Sequence, residues 1–393
     1  MSNAARNICF ITGSRADFGL LIWPMRAIRD MPGLTLQIVA TGMHFAPEFG
    51  YTFNAIRDEG FEINECVETL LSSDTGAGVA KSVGLGVIGC ADAFTRLQPD
   101  LVVLLGDRFE MFAAAQAAMF MRTPMAHLFG GDVTEGSVDE STRHAISKMS
   151  HLHFTSNQAS TQRLLQLGEH PSRIHTIGSV GIDNIRRIDL MDRADVGRAV
   201  GMALGDRCAL VTFHPVTVEA GRSIAELNEL FGALKTLDPA CRLVFTLANA
   251  DSEGRALNSR IEAFARSRPN TVAVASLGQT RYLSLMNQVD MVIGNSSSGV
   301  LEAPSFGVPT VDVGDRQKGR EHAASVFHAR PESGAIAAAI SQALQRGRQA
   351  TVNPYGDGAS SRRFAEIVAN ITDFRQLLKK SFYDLPASGM QQG

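Results

Sequence analysis

The chain has 393 residues, of which 45% are hydrophobic and 20% are charged, and its formal net charge is −3 at pH 7. This length predicts about two domains, since single domains usually hold roughly 100–200 residues. The charge excludes nucleic acid as the main partner, because that role is typical of strongly basic proteins. We therefore expect a globular protein in which any anion site is a local cluster of residues.

Neither a disulfide framework nor a membrane segment is indicated. The cysteines are odd in number, scattered and without a CxxC pair: Cys9, Cys66, Cys90, Cys208 and Cys241. This pattern favours a reducing compartment and gives no zinc site. No stretch reaches the roughly 18 apolar residues that span a bilayer, the nearest being 111–121. The apolar start is too short for a signal peptide, so we expect a cytoplasmic protein.

Short apolar strands alternate with amphipathic helices along the first half of the chain. Strands are predicted near residues 8–12, 36–40, 101–105, 125–128, 153–155 and 175–177. This alternation predicts a doubly wound parallel sheet, in which ligands bind beyond the carboxyl ends of the strands. The residues that follow each strand are therefore the candidates for chemistry.

The segment after the first strand, residues 12–19, contains glycine but matches neither GxGxxG nor a P-loop. Arg15 begins a predicted helix, where the helix dipole disfavours a cation. We interpret Arg15 as a phosphate ligand. The alternative is a surface ion pair with Asp17 or Asp30.

Asp107 follows the apolar strand at 101–105. Partial desolvation at such a position suits a carboxylate to act as a general base. The alternative is that Asp107 caps the helix that follows, and both roles are compatible.

The next strand carries His127 and leads to Asp132, and an acidic segment follows it. Ser137 and Glu140 have the spacing of a capping box, which starts a helix. Asp139 with Arg143, and Glu140 with His144, have the i,i+4 spacing of paired charges on a helix. The number of ionisable groups exceeds what capping requires, which favours a shared catalytic role.

His151 and His153 alternate along one predicted strand and face the same side. A metal site needs further ligands, and no spacing in the sequence supplies them. Buried, hydrogen-bonded histidines are the favoured interpretation, and no metal is expected.

The second half repeats the alternation, with strands near residues 209–213, 242–247, 272–275, 291–294 and 310–313. The charged stretch 186–198 is predicted to connect the two halves, and the small, polar tail at 386–393 is expected to be disordered. Two Rossmann-like domains that face each other across a cleft are the architecture this pattern implies.

A serine-rich turn follows the strand at 291–294 and leads into a helix. Backbone N–H groups and hydroxyls at such a turn can hold a diphosphate without a metal. Asn295, Ser296 and Ser297 form the turn, and the loop after the next strand carries Arg316, Lys318 and Arg320. His214 ends an earlier strand of the same half and is a further phosphate donor. The alternative is a serine-rich turn beside a solvated basic loop.

These motifs occur in order along nearly the whole chain. They are Gly13-Ser14-Arg15-Ala16-Asp17, Gly106-Asp107-Arg108-Phe109-Glu110, His127-x-x-Gly130-Gly131-Asp132, Asp139-Glu140-x-x-Arg143-His144, His151-x-His153, His214-Pro215, Asn295-Ser296-Ser297-Ser298-Gly299-x-x-Glu302 and Arg316-Gln317-x-Gly319-Arg320. As a set they resemble the hydrolysing UDP-N-acetylglucosamine 2-epimerases of sialic acid biosynthesis and their relatives in legionaminic acid pathways.

The resemblance implies a GT-B fold with domains at residues 1–185 and 195–360, and a C-terminal helix at 361–384 that crosses back to the first domain. It places the UDP ligands at Arg15, His214, Asn295, Ser296, Ser297, Glu302 and Arg316. It places the catalytic groups at Asp107, His127, Asp139 and His151, with Glu140 beside them. Asp132 is our further catalytic candidate, because it is the acid nearest to the Gly-Gly pair. The implied partners are a UDP-sugar and a second copy of the chain in a dimer or tetramer, with no cofactor.

One position departs from the resemblance. Relatives that act on UDP-N-acetylglucosamine often carry His-x-Glu-Gly-Gly, and Phe129 occupies the place of that glutamate. The main expectation is conversion of UDP-N-acetylglucosamine to UDP and N-acetylmannosamine by elimination and hydration. The alternatives are the same reaction on a UDP-2,4-diacetamido-2,4,6-trideoxy sugar, a non-hydrolysing epimerase, a GT-B glycosyltransferase and a nucleotide-sugar sensor.

Overall fold

The computed structural model describes residues 5–46, 51–71, 75–133, 138–215, 222–247, 254–275 and 277–385. Two compact units are present: unit 1 comprises Met1–Asn184 with Tyr355–Gly393, and unit 2 comprises Ile185–Pro354. Ser137 and the tail at 386–393 lie outside the described residues, so the capping box and the disordered tail stay predictions.

Unit 1 is built on a parallel sheet with the strand order β3-β2-β1-β4-β5-β6-β7 in the described part of the chain. Its strands are β1 Arg6–Thr12, β2 Leu34–Thr41, β3 Glu65–Val67, β4 Leu101–Leu105, β5 Met125–Leu128, β6 Leu152–Thr155 and β7 Ile174–Thr176. Its helices are α1 Arg15–Arg29, α2 Phe53–Asp58, α3 Gly76–Leu97, α4 Phe109–Phe120, α5 Val138–Met149, α6 Gln158–Gln166 and α7 Val180–Arg187, the last of which continues into unit 2.

Unit 2 has a second parallel sheet, with the order β10-β9-β8-β11-β12-β13 among its described residues. Its strands are β8 Cys208–Thr212, β9 Arg242–Thr246, β10 Thr271–Val274, β11 Met291–Gly294, β12 Thr310–Val313 and β13 Val326–Ala329. Its helices are α8 Arg193–Val200, α9 Arg222–Lys235, α10 Gly254–Ser267, α11 Gly278–Gln288, α12 Ser297–Leu301 and α13 Ser333–Arg346. The stretch 186–198, predicted as a connection, includes part of α8, whose Val196 packs in a core cluster of unit 2.

The two strands that the sequence pattern missed, β3 and β13, lie at sheet edges. Each has three or four residues, and only the last residue of each strand is buried. An edge strand is covered less completely than a central one, so its residues do not form the continuous apolar run that marks a parallel strand.

The C-terminal segment packs on unit 1. Helix α14, Ser360–Ala369, places Phe364 edge-on to Phe10 and Phe154, with ring centroids 6.0 and 4.8 Å apart. The helix is shorter than the predicted 361–384. It ends at Ala369, and a separate 3₁₀ turn at Phe374–Leu378 begins where the Asp373 side chain accepts a hydrogen bond from the Arg375 N–H.

Helix α3 is long and apolar enough, by length and composition alone, to cross a membrane. The sequence expectation missed it because its small residues and Lys81 and Asp92 break up any continuous apolar run. One side of α3 packs inside unit 1, where a Cβ at Gly86 would lie 2.8 Å from Ala113 of α4.

Candidate functional site

Polar side chains of unit 1 collect at the carboxyl edge of its sheet, directly after β1, β4 and β5. After β1, the Ser14 hydroxyl donates to Asp17, and Asp17 also accepts from the Gly13 N–H at 2.8 Å. Arg15 is exposed at the first residue of α1. Its proposed surface pairs do not form, because Asp17 is bonded to its own turn and Asp30 pairs with Arg29.

Asp107 forms an ion pair with the buried guanidinium of Arg143 on α5. The same guanidinium donates to the Asp132 carbonyl oxygen at 2.8 Å, so Arg143 ties the loop after β4 to the loop after β5. The N-cap residue of α4 is Arg108, so the interpretation of Asp107 as a helix cap was wrong. The sequence paired Arg143 only with Asp139 on its own helix, because Asp107 is 36 residues away and local spacing does not indicate it.

His127 on β5 is fully buried, and this burial lowers its pKa to about 3, so the imidazole is neutral. Its Nε2 lies 2.7 Å from the Gly106 carbonyl oxygen and its Nδ1 lies 3.0 Å from the Ser147 hydroxyl. A carbonyl oxygen can only accept, so Nε2 carries the proton and Nδ1 accepts from Ser147. His127 therefore holds the peptide that precedes Asp107.

The loop after β5 fixes Asp132. Gly131 has a φ of 79°, and a Cβ there would overlap the Ser160 carbonyl oxygen, so the turn packs against α6. The Asp132 carboxylate accepts hydrogen bonds from the Ser156 and Ser160 hydroxyls at 2.7 and 2.5 Å. Phe129 is half-buried with a φ of 68°, in the left-handed region that disfavours a bulky side chain.

Helix α5 carries the acidic segment. Glu140 lies 3.2 Å from His144 and 3.4 Å from Arg143. Arg143 pairs with Asp107 and with Glu140. Asp139 is exposed and contributes an electrostatic interaction with Arg108.

An ion pair between Arg108 and the buried carboxylate of Glu110, which the sequence did not indicate, lies beside this group. Glu110 accepts from Arg108 at 3.0 and 3.2 Å, and burial raises its pKa although Arg108 opposes the rise. Gly13 and Gly42 leave room for Glu110, since a Cβ at Gly42 would lie 2.7 Å from its carboxylate oxygen.

His151 lies away from the other candidates. The register pairs His127 with His153, so His151 lies at the level of Met125, at the amino end of β5. Its Nδ1 accepts from the Met125 N–H at 3.1 Å, and burial lowers its pKa to about 4. The structure therefore does not bring His151 to the carboxyl edge with Asp107.

In unit 2 the turn after β11 holds the end of β8. Asn295 is fully buried, accepts from the His214 N–H at 2.7 Å, and donates to the His214 carbonyl oxygen at 2.9 Å. Gly294 has a φ of 134°, and a Cβ there would overlap the Thr212 carbonyl oxygen. Asn295 thus positions His214 through both ends of its side-chain amide.

The basic loop after β12 is bonded to this turn. The Asn295 carbonyl oxygen accepts from Arg316 at 3.1 Å and from Gln317 at 2.8 Å. Gln317 is buried, whereas Arg316 is exposed. The serine turn and the basic loop therefore form one polar surface.

The start of α12 continues that surface. Ser296 is the N-cap residue, Ser297 is the first helical residue, and the Ser298 hydroxyl lies 2.5 Å from the Tyr282 hydroxyl. Burial raises the pKa of Glu302, at the end of α12, to about 7. None of the described residues form a group of three or more His, Cys, Asp or Glu that could hold a metal ion.

Comparison with known proteins identifies the family. The family model described as UDP-N-acetylglucosamine 2-epimerase matches residues 26–369. The chain belongs to the UDP-N-acetylglucosamine 2-epimerase family. A Campylobacter jejuni protein named GDP/UDP-N,N'-diacetylbacillosamine 2-epimerase (hydrolyzing) is 41% identical over 80% of this chain and 82% of its own. A Neisseria meningitidis UDP-N-acetylglucosamine 2-epimerase is 31% identical over 97% of this chain and 99% of its own.

Solved structures of the family agree with the fold. A UDP-GlcNAc 2-epimerase from Neisseria meningitidis, bound to UDP-GlcNAc, has a TM-score of 0.74 at 17% identity and covers 92% of this chain and 99% of its own. The predicted GT-B-like fold of two parallel α/β domains is thus confirmed.

Proposed function

We propose that this epimerase hydrolyses a UDP-linked 2-acetamido sugar to UDP and the free sugar epimerised at C2. The Asp107–Arg143 ion pair carries the proposal, because Arg143 stabilises the ionised carboxylate that a general base requires. His127, Gly106 and the bond from Arg143 to the Asp132 carbonyl oxygen hold that carboxylate in place.

The chemistry proceeds by elimination and then hydration. Asp107 takes the C2 proton, a C1–C2 double bond forms, and the C1–O bond breaks with its electron pair passing to the diphosphate of UDP. Water then adds its oxygen to C1, and a proton is delivered to C2 on the opposite face. The net reaction consumes one water and releases UDP.

Asp132 is our candidate for delivering that proton or activating the water, because its carboxylate is fixed by Ser156 and Ser160 beside the Asp107 loop. Asp139 and Glu140 on α5 are the alternatives. His127, neutral and bonded at both nitrogens, is assigned a positioning role. We assign His151 a positioning role in the sheet.

Departure of UDP requires stabilisation of the developing negative charge. We assign this to the surface of unit 2 formed by His214, Ser296, Ser297 and Arg316. The assignment of Arg15, which is exposed at the first residue of α1, as a phosphate ligand stays a prediction. Removing one preorganised donor of this kind costs roughly 3 kcal/mol of transition-state stabilisation. Glu302 is assigned to the ribose hydroxyls, which can donate to its carboxylate.

Two sugars are candidates. The main expectation from the sequence, UDP-N-acetylglucosamine, agrees with the name of the Neisseria relative. The 2,4-diacetamido-2,4,6-trideoxy sugar is favoured by the half-buried Phe129 at the carboxyl edge, since an apolar side chain suits a sugar without a C6 hydroxyl. It also agrees with the names of the Campylobacter relative and of a 32% identical Legionella pneumophila protein, UDP-N,N'-diacetylbacillosamine 2-epimerase (hydrolyzing).

The reaction is tested in D₂O with each UDP-sugar and its GDP counterpart. We expect a free 2-acetamido sugar with inverted C2 that carries deuterium there, and UDP released in equal amount. In H₂¹⁸O the anomeric oxygen should be labelled when it is read early. Protium retained at C2 with UDP release would overturn the elimination and indicate a hydrolase or a glycosyltransferase that leaks to water.

Two further results of the same assay would indicate a different activity. A UDP-sugar epimerised without UDP release would show a non-hydrolysing epimerase. Binding of these sugars without any turnover would favour a nucleotide-sugar sensor. A cytoplasmic location and a homo-oligomer stay predictions.

A further inference from the structure

A row of five hydroxyl groups lies beneath the serine turn of unit 2. It comprises Thr246 on β9, Thr212 on β8, Tyr282 on α11, and Ser298 and Ser296 at the start of α12. The Thr246 and Thr212 hydroxyls are 2.5 Å apart. The Tyr282 hydroxyl interacts with that of Thr212 and lies 2.5 Å from that of Ser298, which in turn lies 3.0 Å from that of Ser296. This hydroxyl row therefore runs from two buried threonines to the candidate diphosphate site.

Tyr282, at the centre of the hydroxyl row, keeps its proton. Burial raises the pKa of its hydroxyl, and the nearby Glu302 raises it further, although hydrogen bonds from Ser298, Thr212 and Ser296 oppose the rise. A neutral phenol is more acidic than a serine hydroxyl and is therefore the better hydrogen-bond donor. We expect Tyr282 to accept from Thr212 and to donate to Ser298.

The direction of these hydrogen bonds decides what Ser296 offers to a ligand. A hydroxyl has one proton and two acceptor positions. The Ser296 oxygen accepts from the Ser298 N–H at 3.4 Å, as the N-cap of α12. It also accepts from the Ser298 hydroxyl when Tyr282 donates to that hydroxyl. Both acceptor positions are then used and the Ser296 proton points outward, whereas the reverse direction would present lone pairs, which repel a phosphate oxygen.

We propose that Tyr282 is a positioning residue for the diphosphate: it donates to Ser298, Ser298 donates to Ser296, and the Ser296 proton is left to bind a phosphate oxygen. Hydrogen bonds in a chain polarise one another, so each bond strengthens the next. The inference rests on the proposed function, which assigns the diphosphate to Ser296. Tyr282 acts through Ser296 and exchanges no proton with the ligand.

Titration calorimetry of the full chain with uridine, UMP and UDP tests this role, because the three ligands differ only in their phosphates. We expect Tyr282→Phe to weaken UDP binding about tenfold and to change uridine affinity by less than about twofold. The substitution keeps the ring, which packs against a core cluster of unit 2. Tyr383→Phe, the same change in unit 1, is the control and should bind UDP as the wild type does.

Ser298→Ala is a second variant that interrupts the hydroxyl row without changing Tyr282. It should show the same loss of UDP affinity with uridine affinity retained, so the proposal is tested even if Tyr282→Phe does not fold. Wild-type UDP affinity in either variant would overturn the positioning role. An equal loss of UDP and uridine affinity would also overturn it, because a general distortion of unit 2 weakens both ligands.

A double-mutant cycle with Ser296→Ala tests whether Tyr282 acts through that serine. In the Ser296→Ala background, Tyr282→Phe should not weaken UDP binding further, because the last hydroxyl of the row is absent. A further loss in that background would contradict the proposal. A wild type that binds UDP no more tightly than uridine would instead remove the diphosphate from the serine turn, and with it both the proposed nucleotide site and this inference.

Discussion

Asp107 and Arg316 have different roles in the proposed reaction. Asp107 takes a proton, and Arg316 stabilises negative charge on the phosphates. We predict that Asp107→Asn lowers turnover by about 10²–10⁴-fold, the usual contribution of a general base, and leaves UDP affinity within a few-fold. Arg316→Ala should weaken UDP binding and turnover together. Calorimetric titration of UDP and a UDP-release assay measure the two effects.

Lys318→Ala is the control, because Lys318 is an exposed cation two residues further along the same loop. Its UDP affinity should change much less than that of Arg316→Ala. Equal UDP binding by Arg316→Ala and the wild type would remove Arg316 from the site.

Glu302 should make nucleotide-sugar binding depend on pH. Burial raises its pKa to about 7, so below that pH the free protein holds the carboxyl neutral. Ribose hydroxyls that donate to the carboxylate favour the ionised form, so bound ligand lowers the pKa. Affinity should therefore be greatest above pH 7 and fall as pH decreases through 7, by at most about tenfold per pH unit.

The measurement uses the UDP-sugar and the Asp107→Asn variant, so that turnover does not interfere. Adding Glu302→Gln should abolish the pH dependence. A dependence that persists in that double variant would assign the titration to another group.

At the scale of elements, the turn after β5, which packs against α6, requires glycine for two separate reasons. Gly131 has a φ of 79°, and its Cβ would meet a backbone oxygen of α6. Gly33 has a φ of 77°, and a Cβ added there would have no atom within 4 Å. A substitution at Gly33 therefore measures the free-energy cost of the backbone conformation alone.

We predict that Gly33→Ala costs about 1 kcal/mol, and Gly131→Ala about 3 kcal/mol or more. Thermal unfolding of unit 1 should show the difference. Turnover should fall only in Gly131→Ala, because moving Ser160 disturbs Asp132. Similar destabilisation by both substitutions would mean that the close approach carries no cost.

The C-terminal segment stabilises unit 1 through Lys380, which pairs with the buried carboxylate of Glu169. The Lys380 ammonium lies 2.7 Å from the fully buried Glu169 carboxylate and donates to the Lys148 and Ser150 carbonyl oxygens, both at 2.7 Å. Burial opposes ionisation of Glu169, but hydrogen bonds from His153, Lys380 and Lys148 outweigh it and lower its pKa to about 2.

We predict that Lys380→Met destabilises unit 1 by about 3 kcal/mol at pH 7, because a buried carboxylate loses a partner. The lowered pKa stabilises the fold above the unfolded value near 4.5, and this stability is lost as pH falls towards 2. The difference from the wild type should therefore shrink below pH 4.5. Lys379→Met, at the exposed neighbour, is the control, and chemical denaturation measures both variants.

At the scale of the whole molecule, the net charge is −3, yet cationic residues are clustered in the loop that contains Arg316. If the serine turn and Arg316 replace a metal at the diphosphate, turnover should survive EDTA. The assay compares chelated enzyme with enzyme given Mg²⁺ or Mn²⁺. Activity that is lost in EDTA and rescued only by a divalent ion would contradict this.

The sequence by itself determined the fold class and the places where chemistry should be sought. Strands β4, β5, β11 and β12 were predicted at the bounds that the structure shows, because helices bury both faces of a parallel sheet and its strands are therefore rich in apolar residues. The rule that ligands bind beyond the carboxyl ends then selected Asp107, Asp132 and the serine turn from local sequence.

Only the tertiary structure decided how those residues are held. Asp107 meets Arg143 across 36 residues, and Asp132 meets Ser160 across 28, distances at which no local spacing indicates a partner. Alternation along the strand predicted that His151 and His153 lie on the same face of the sheet. Whether His151 lies at the amino or the carboxyl end of the neighbouring strand depends on the register with β5. Local pattern fixes the direction in which a side chain points, and packing between distant segments fixes what it meets.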